Sequence, residues 1–136
     1  MSLSDEERKA IVEYRIEKAW VALEDVEQVS KLARWSAVAN RMYYTIYYAA
    51  TALLIANGYT CHTHTGMITM IHKHFVLTGI LSKENGRLVG KVFDMRQEAD
   101  YDDFMDADEE MIQTYYPKVK ALVERMVELA KEKMDM

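Results

Sequence analysis

Scarcity of turn-forming residues is the first constraint on this chain. Its 136 residues include one proline and five glycines. An all-β fold needs a turn every eight to twelve residues or so, and that chemistry is missing. A single cysteine, Cys61, excludes an intramolecular disulfide and gives no sign of an oxidising compartment. No run approaches the roughly 18 to 20 apolar residues of a membrane span. The acidic start, Asp5-Glu6-Glu7, is wrong for a signal peptide, so the expected location is the cytoplasm. Excess positive charge is lacking too. A formal net charge of -5 and a pI near 5.4 argue against a broad basic surface for sequence-independent nucleic-acid binding, while leaving room for a local phosphate site.

What is present is a globular composition, 50% hydrophobic and 29% charged, on a chain long enough for one domain with a real core. Ser4 and Glu7 have the spacing of a capping box. Val12, Ile16, Ala19, Trp20, Leu23 and Val26 then recur at helical spacing, predicting a first helix that ends near Ala33. A second helix is expected from about Ser36 to Asn57, stopped by Gly58. One side carries Ala39, Met42, Tyr43, Ile46, Ala50, Leu53 and Leu54, and the other Tyr44, Tyr47, Tyr48 and Ile55. A helix apolar nearly all round must be covered on several sides, so it is the bundle's centre or is shared with a subunit interface.

Thr65 is expected to cap a short third helix bearing Met67, Ile68, Ile71 and Phe75, broken at Thr78-Gly79. Ser82 should cap a fourth, with Leu88, Val89, Val92 and Phe93 inward. The last helix is expected from about Asp108 to Lys133, with a kink at Pro117 or a start near Thr114, because proline lacks the N–H and clashes with the preceding turn. The fold class is therefore all-α, an up-and-down bundle of four to five helices forming one domain over residues 4–134. Residues 1–3 resemble a cloning remnant.

Three segments resemble the HEPN family of prokaryotic helical-bundle proteins. Asn40-Arg41-Met42-Tyr43-Tyr44 leading into Tyr47-Tyr48-Ala49-Ala50 is similar to its tyrosine-rich central helix. His64-Thr65-Gly66 followed by His74-Phe75 is similar to its His-Ser-Gly connection. Met95-Arg96-Gln97-Glu98-Ala99-Asp100-Tyr101-Asp102-Asp103 is similar to its arginine-to-aspartate-tyrosine signature. The resemblance implies a bundle that often dimerises, and a setting beside a minimal nucleotidyltransferase in toxin–antitoxin or defence modules. It also implies, for many members, a metal-independent ribonuclease that uses an arginine followed four to six residues later by a histidine. This sequence departs from that pattern. Positions 101, 102 and 103 after Arg96 hold Tyr101, Asp102 and Asp103.

The candidate residues follow from their chemistry. Arg96 continues the apolar stripe of Val92 and Phe93, so it must be paired or line a cleft. One reading is an internal ion pair with Asp100 at i+4. The other is a phosphate-binding guanidinium, whose planar fork suits phosphate oxygens. In a ribonuclease Arg96 would stabilise charge on the phosphate, and Asp100, or a histidine brought from another helix or subunit, would be the base. Tyr101 and Arg41 are further candidates for phosphate or nucleotide binding, Arg41 also for a contact with Asp100 or Asp102. Tyr43, Tyr44, Tyr47 and Tyr48 are read as core or dimer contact rather than base-stacking residues, since no lysine or arginine row interleaves them.

The pairs His62/His64 and His72/His74 lack the i, i+4 spacing of a zinc helix, and the acidic run from Glu98 to Glu110 lacks the glycine of a calcium loop. No metal or cofactor is implied. His64 is expected to orient its loop by hydrogen bonds and His74 to pack. The functional expectation is thus a dimerising subunit that binds a partner such as a nucleotidyltransferase. An atypical ribonuclease and a nucleotide-binding module are the alternatives, with RNA or nucleotide as ligand.

Overall fold

The structure, a computed structural model, describes residues 3–101 and 107–136, excluding the side chains of Asp100 and Tyr101. Its elements are α1 (Asp5–Ser30), α2 (Trp35–Ala56), α3 (His64–Ile71) continuing into a π-helical turn (His72–Val76), α4 (Lys83–Tyr101) and α5 (Glu109–Lys133). Among the described residues there is no strand, and the fold is an all-α bundle.

Local chemistry sets most of the helix ends. Ser4 and Glu7 form the reciprocal capping box of α1, with Ser4 Oγ accepting from the Glu7 N–H and Glu7 Oε1 from the Ser4 N–H, both at 3.1 Å. The Glu7 carboxyl is accordingly held below its ordinary value by the Ser4 hydroxyl and backbone. Ser82 and Asn85 repeat the arrangement before α4, at 3.0 and 3.2 Å. Asp108 caps α5, accepting from the Met111 N–H at 2.9 Å. At the end of α2, Gly58 takes φ +83°, and the Gly58 and Tyr59 N–H groups donate back to Ile55 and Leu54. Those two bonds satisfy carbonyls that the ending helix would leave open.

Helix α2 is the centre. Met42, Tyr43, Ile46, Leu53 and Leu54 are buried on it, and α1, α3, α4 and α5 all pack against it. Burial on several sides is what its nearly all-round apolar surface demands. Helix α1 contributes Val12, Ile16, Ala19, Leu23 and Val26, and α5 contributes Ile112, Val119, Leu122, Val123, Met126 and Ala130.

Four details differ from expectation. Helix α1 ends at Ser30 rather than Ala33, because Ala33 adopts a left-handed backbone, φ +54°, to turn the chain into α2. Trp20 lies at the edge of its stripe and is 36% exposed, while the small Ala19 and Ala22 make the close approach. Helix α5 starts at Glu109 rather than near Thr114, with Pro117 inside it. The Asp108 cap and buried Ile112 hold the turns before the proline despite the lost hydrogen bond. The cap of α3 is Thr63, two residues earlier than Thr65. Thr63 Oγ1 accepts from the Gly66 N–H at 2.8 Å, and a Cβ on Gly66 would stand 2.8 Å from the same oxygen. Glycine at 66 is therefore what lets the cap close, and the cap sets where His64 begins its helix.

Candidate functional site

Turning the chain between α2 and α3 lays His64 back onto the tyrosines of α2. Tyr43 Oη lies 2.6 Å from His64 Nδ1, joining two residues 21 positions apart. The imidazole also packs 5.0 Å from the Tyr47 ring and 5.4 Å from the Tyr43 ring, centre to centre. Phe93 of α4 closes the other side, 5.5 Å from Tyr43. Tyr44 and Tyr48 continue the array along α2, at 5.9 Å from one another.

Cations lie over this aromatic bed. The Arg96 guanidinium sits 5.5 Å from the Tyr43 ring and 5.4 Å from the Tyr44 ring. Arg41 stands 5.1 Å from Tyr44, its Nε and Nη2 donating to Asn40 Oδ1 at 3.1 and 2.8 Å. Lys18 of α1 lies 5.4 Å from Tyr48. Each such contact contributes about 0.5–2 kcal/mol, depending on desolvation. The cationic row that α2 lacks in its own sequence is thus supplied partly by Arg96 from α4 and Lys18 from α1. Two guanidiniums, those of Arg41 and Arg96, thus lie against the one Tyr44 ring.

The electrostatics of the centre are unusual. Burial pushes the Tyr43 phenol well above its ordinary range, against a smaller opposing pull from Arg96. The phenol therefore keeps its proton and can either donate to His64 or accept from it. Burial, and secondly the positive charge of Arg96, hold His64 below its ordinary value of 6.5. His64 is a neutral imidazole at neutral pH. When its Nδ1–H donates to Tyr43, Nε2 is left as a free base.

These positions reorganise the expectations from sequence. Arg96 and Arg41 both lie against the Tyr44 ring, 5.4 and 5.1 Å from its centre. Tyr43 is fully buried within the monomer and so serves the core. Tyr44, Tyr47 and Tyr48 are half-buried and still offer ring surface outward. Asp100 and Tyr101, offered as base and as nucleotide contact, have side chains outside the described residues, as does Asp102, so the Arg96–Asp100 and Arg41 contacts to these acids fall there too. His64 makes a hydrogen bond to α2, and His74 packs, stacked 3.9 Å from Tyr59. Among the described residues no three histidine, cysteine or acidic side chains gather in a way that could hold a metal. The contribution of Lys18 went unnoticed in the sequence, where nothing marks it off from other surface lysines.

A cleft of about 510 Å³ lies elsewhere, between the α1–α2 turn and the start of α5. Trp35, Ile112, Tyr116 and Pro117 line it, with Tyr116 donating to Glu27 at 2.7 Å. Lys31, Glu27 and Glu109 also stand at this cleft, but among the described residues no imidazole or guanidinium lines it, and those two groups come together on the tyrosine bed.

Comparison with known proteins agrees with this architecture. The model of the HEPN domain family matches residues 12–132. The chain belongs to the HEPN family. A UPF0332 protein of Thermotoga maritima is 29% identical over 126 residues, covering 93% of this chain and 96% of that one. Two proteins of Methanocaldococcus jannaschii, each named as a candidate toxin, are 34% and 32% identical. The first alignment covers 76% of this chain and 75% of the relative, the second 69% and 64%. Among the described residues no helix is long and apolar enough to cross a membrane.

Proposed function

We propose that this HEPN protein is the subunit of a toxin-type module, and that Arg96 and His64 on the tyrosine bed form the place where it engages an RNA phosphate. The observation that carries this reading is the neutral His64, hydrogen-bonded to Tyr43 and within the field of Arg96. The candidate-toxin names of two relatives support the module. A homodimer, and a nucleotidyltransferase as partner, would use the outward rings of Tyr44, Tyr47 and Tyr48, which leave apolar surface for a second chain.

The same observation favours a second, catalytic reading: metal-independent RNA cleavage with the histidine supplied by α3 instead of α4. His64 Nε2 would take the proton of a ribose 2′-hydroxyl, whose oxygen attacks the adjacent phosphorus. Arg96 would stabilise the charge growing on the non-bridging oxygens. The 5′-oxygen leaves, taking a proton from water, and a 2′,3′-cyclic phosphate remains. Arg41 would hold a flanking phosphate.

The deciding experiment incubates cellular RNA with the purified protein in EDTA, beside folded Arg96→Ala and His64→Ala variants. Cleavage lost in both variants supports the catalytic reading. Retention of labelled RNA without cleavage, weakened by Arg96→Ala, supports recognition by a partner-binding subunit. Neither cleavage nor retention overturns the RNA reading, and titration with ATP and GTP then tests the nucleotide-binding alternative. Sedimentation of the purified protein, alone and with the product of a neighbouring nucleotidyltransferase gene, tests the partners.

A further inference from the structure

Behind Tyr47 lies a second cavity, of about 180 Å³, between α1, α2 and the segment leading to α3. Its volume is in the range of cavities that hold one benzene-sized group, so it fits a phosphoryl group but not a whole nucleotide. Arg15, half-buried on α1, faces it, with Nη1 3.5 Å from Thr51 Oγ1. The Thr51 hydroxyl is itself fixed, donating to the Tyr47 carbonyl at 2.9 Å. Thr60 and Cys61 complete the polar wall, and Tyr59, clamped by its stack on His74, forms an apolar one.

Charge makes this cavity stand out. The chain carries 22 acidic residues against 17 lysines and arginines, yet among the described residues no carboxylate lines the cavity. Among the described residues no carboxylate reaches ion-pair distance of Arg15 either. A half-buried guanidinium that donates to one hydroxyl has further donors to offer and bears a desolvation cost that an anion offsets. The Cys61 thiol senses the same charge. Burial raises its pKa, and Arg15 opposes that rise.

We propose that the Arg15 cavity is a phosphate-binding site, taking a phosphoryl group through the Arg15 fork, which the Thr51 hydroxyl holds in place as an acceptor, with the Thr60 hydroxyl as a further donor. Tyr47, whose opposite neighbour is His64, is the shared wall between this site and the tyrosine bed. The group could belong to a free nucleotide or to an RNA terminus. The site stands whether or not Arg96 engages RNA.

Cys61, the chain's one thiol, is a built-in reporter because it lines the cavity. Its alkylation by iodoacetamide is timed by mass spectrometry in buffers of constant ionic strength, with inorganic phosphate replacing chloride. At phosphate about ten times its dissociation constant, mass action predicts roughly tenfold slower alkylation. Arg15→Gln should abolish the protection and Arg96→Ala should leave it. If Arg15→Gln fails to fold, Thr51→Val, which removes the hydroxyl at constant shape, should weaken it severalfold. Equal alkylation in chloride and phosphate, or protection lost with Arg96→Ala and kept with Arg15→Gln, overturns the proposal. Protection by AMP identifies a nucleotide source, and protection by a 3′-phosphorylated oligoribonucleotide but not its dephosphorylated form identifies an RNA end.

Discussion

Replacing Tyr43 by phenylalanine removes one oxygen and nothing else, at the point where core and site meet. The ring is fully buried and packs on Tyr44, Tyr47, His64 and Phe93, contacts a phenylalanine keeps. What disappears is the 2.6 Å hydrogen bond to His64. Such a bond contributes about 0.5–1.5 kcal/mol net, and leaving a fully buried partner unsatisfied would cost about 1–3 kcal/mol. His64 is only half-buried, so water can reach the released nitrogen and the lower range applies. The expected loss is therefore about 1 kcal/mol, or about 4 °C in melting temperature for a domain of this size. Truncation to alanine would instead cost about 3–5 kcal/mol, because the packing goes as well. Urea denaturation of the two variants beside the wild type, with the slope checked for constancy, makes the measurement. A Tyr43→Phe change within about 0.5 kcal/mol of zero would put it among inconsequential substitutions and refute the hydrogen bond as a contributor. A loss above about 3 kcal/mol would show that the ring itself had moved.

Three further outcomes are expected. Because burial and Arg96 hold His64 below 6.5, the stability its neutral form contributes is fully present above that pH and is lost as pH falls below it. Arg96→Gln should move the His64 titration, followed by NMR, upward towards 6.5, and an unchanged titration would dismiss the coupling. Pro117→Ala restores an N–H to the interior of α5 and should stabilise the protein by up to about 3 kcal/mol, whereas a destabilised variant in urea melts would mean the proline is needed where it packs. Gly66→Ala drives a methyl group onto Thr63 Oγ1 and should cost about 1–2 kcal/mol through loss of the α3 cap, with a shifted His64 resonance; an unaltered spectrum would contradict the role given to that cap.

Much of the architecture was legible because it is written in short-range chemistry. The capping box at Ser4 and Glu7, the Ser82 cap and the apolar stripes of α2 and α5 all act over a few residues, and each appears where spacing places it. Trp20 lies at the edge of the stripe that spacing assigns it, because periodicity reports which face a residue is on, not how closely the neighbouring helix approaches. In the site, the apolar neighbours of Arg96 marked it as a residue in need of partners. That His64 comes to lie on Tyr43 depends on the path of the chain after Gly58, which no local pattern encodes. The same holds for Arg15 and Cys61, 46 positions apart and joined only by the packing of α1 beside α2.

Four tyrosines along a single helix, each within about 6 Å of a neighbouring ring, also make the site an optical object. Rigid aromatic rings at such spacing give near-ultraviolet circular dichroism that vanishes when tertiary packing loosens, even while helical signal in the far ultraviolet persists. The protein thus carries its own spectroscopic gauge of whether the bed beneath Arg96 is intact. Ligand binding, dimerisation or acidification can be followed there without attaching a label.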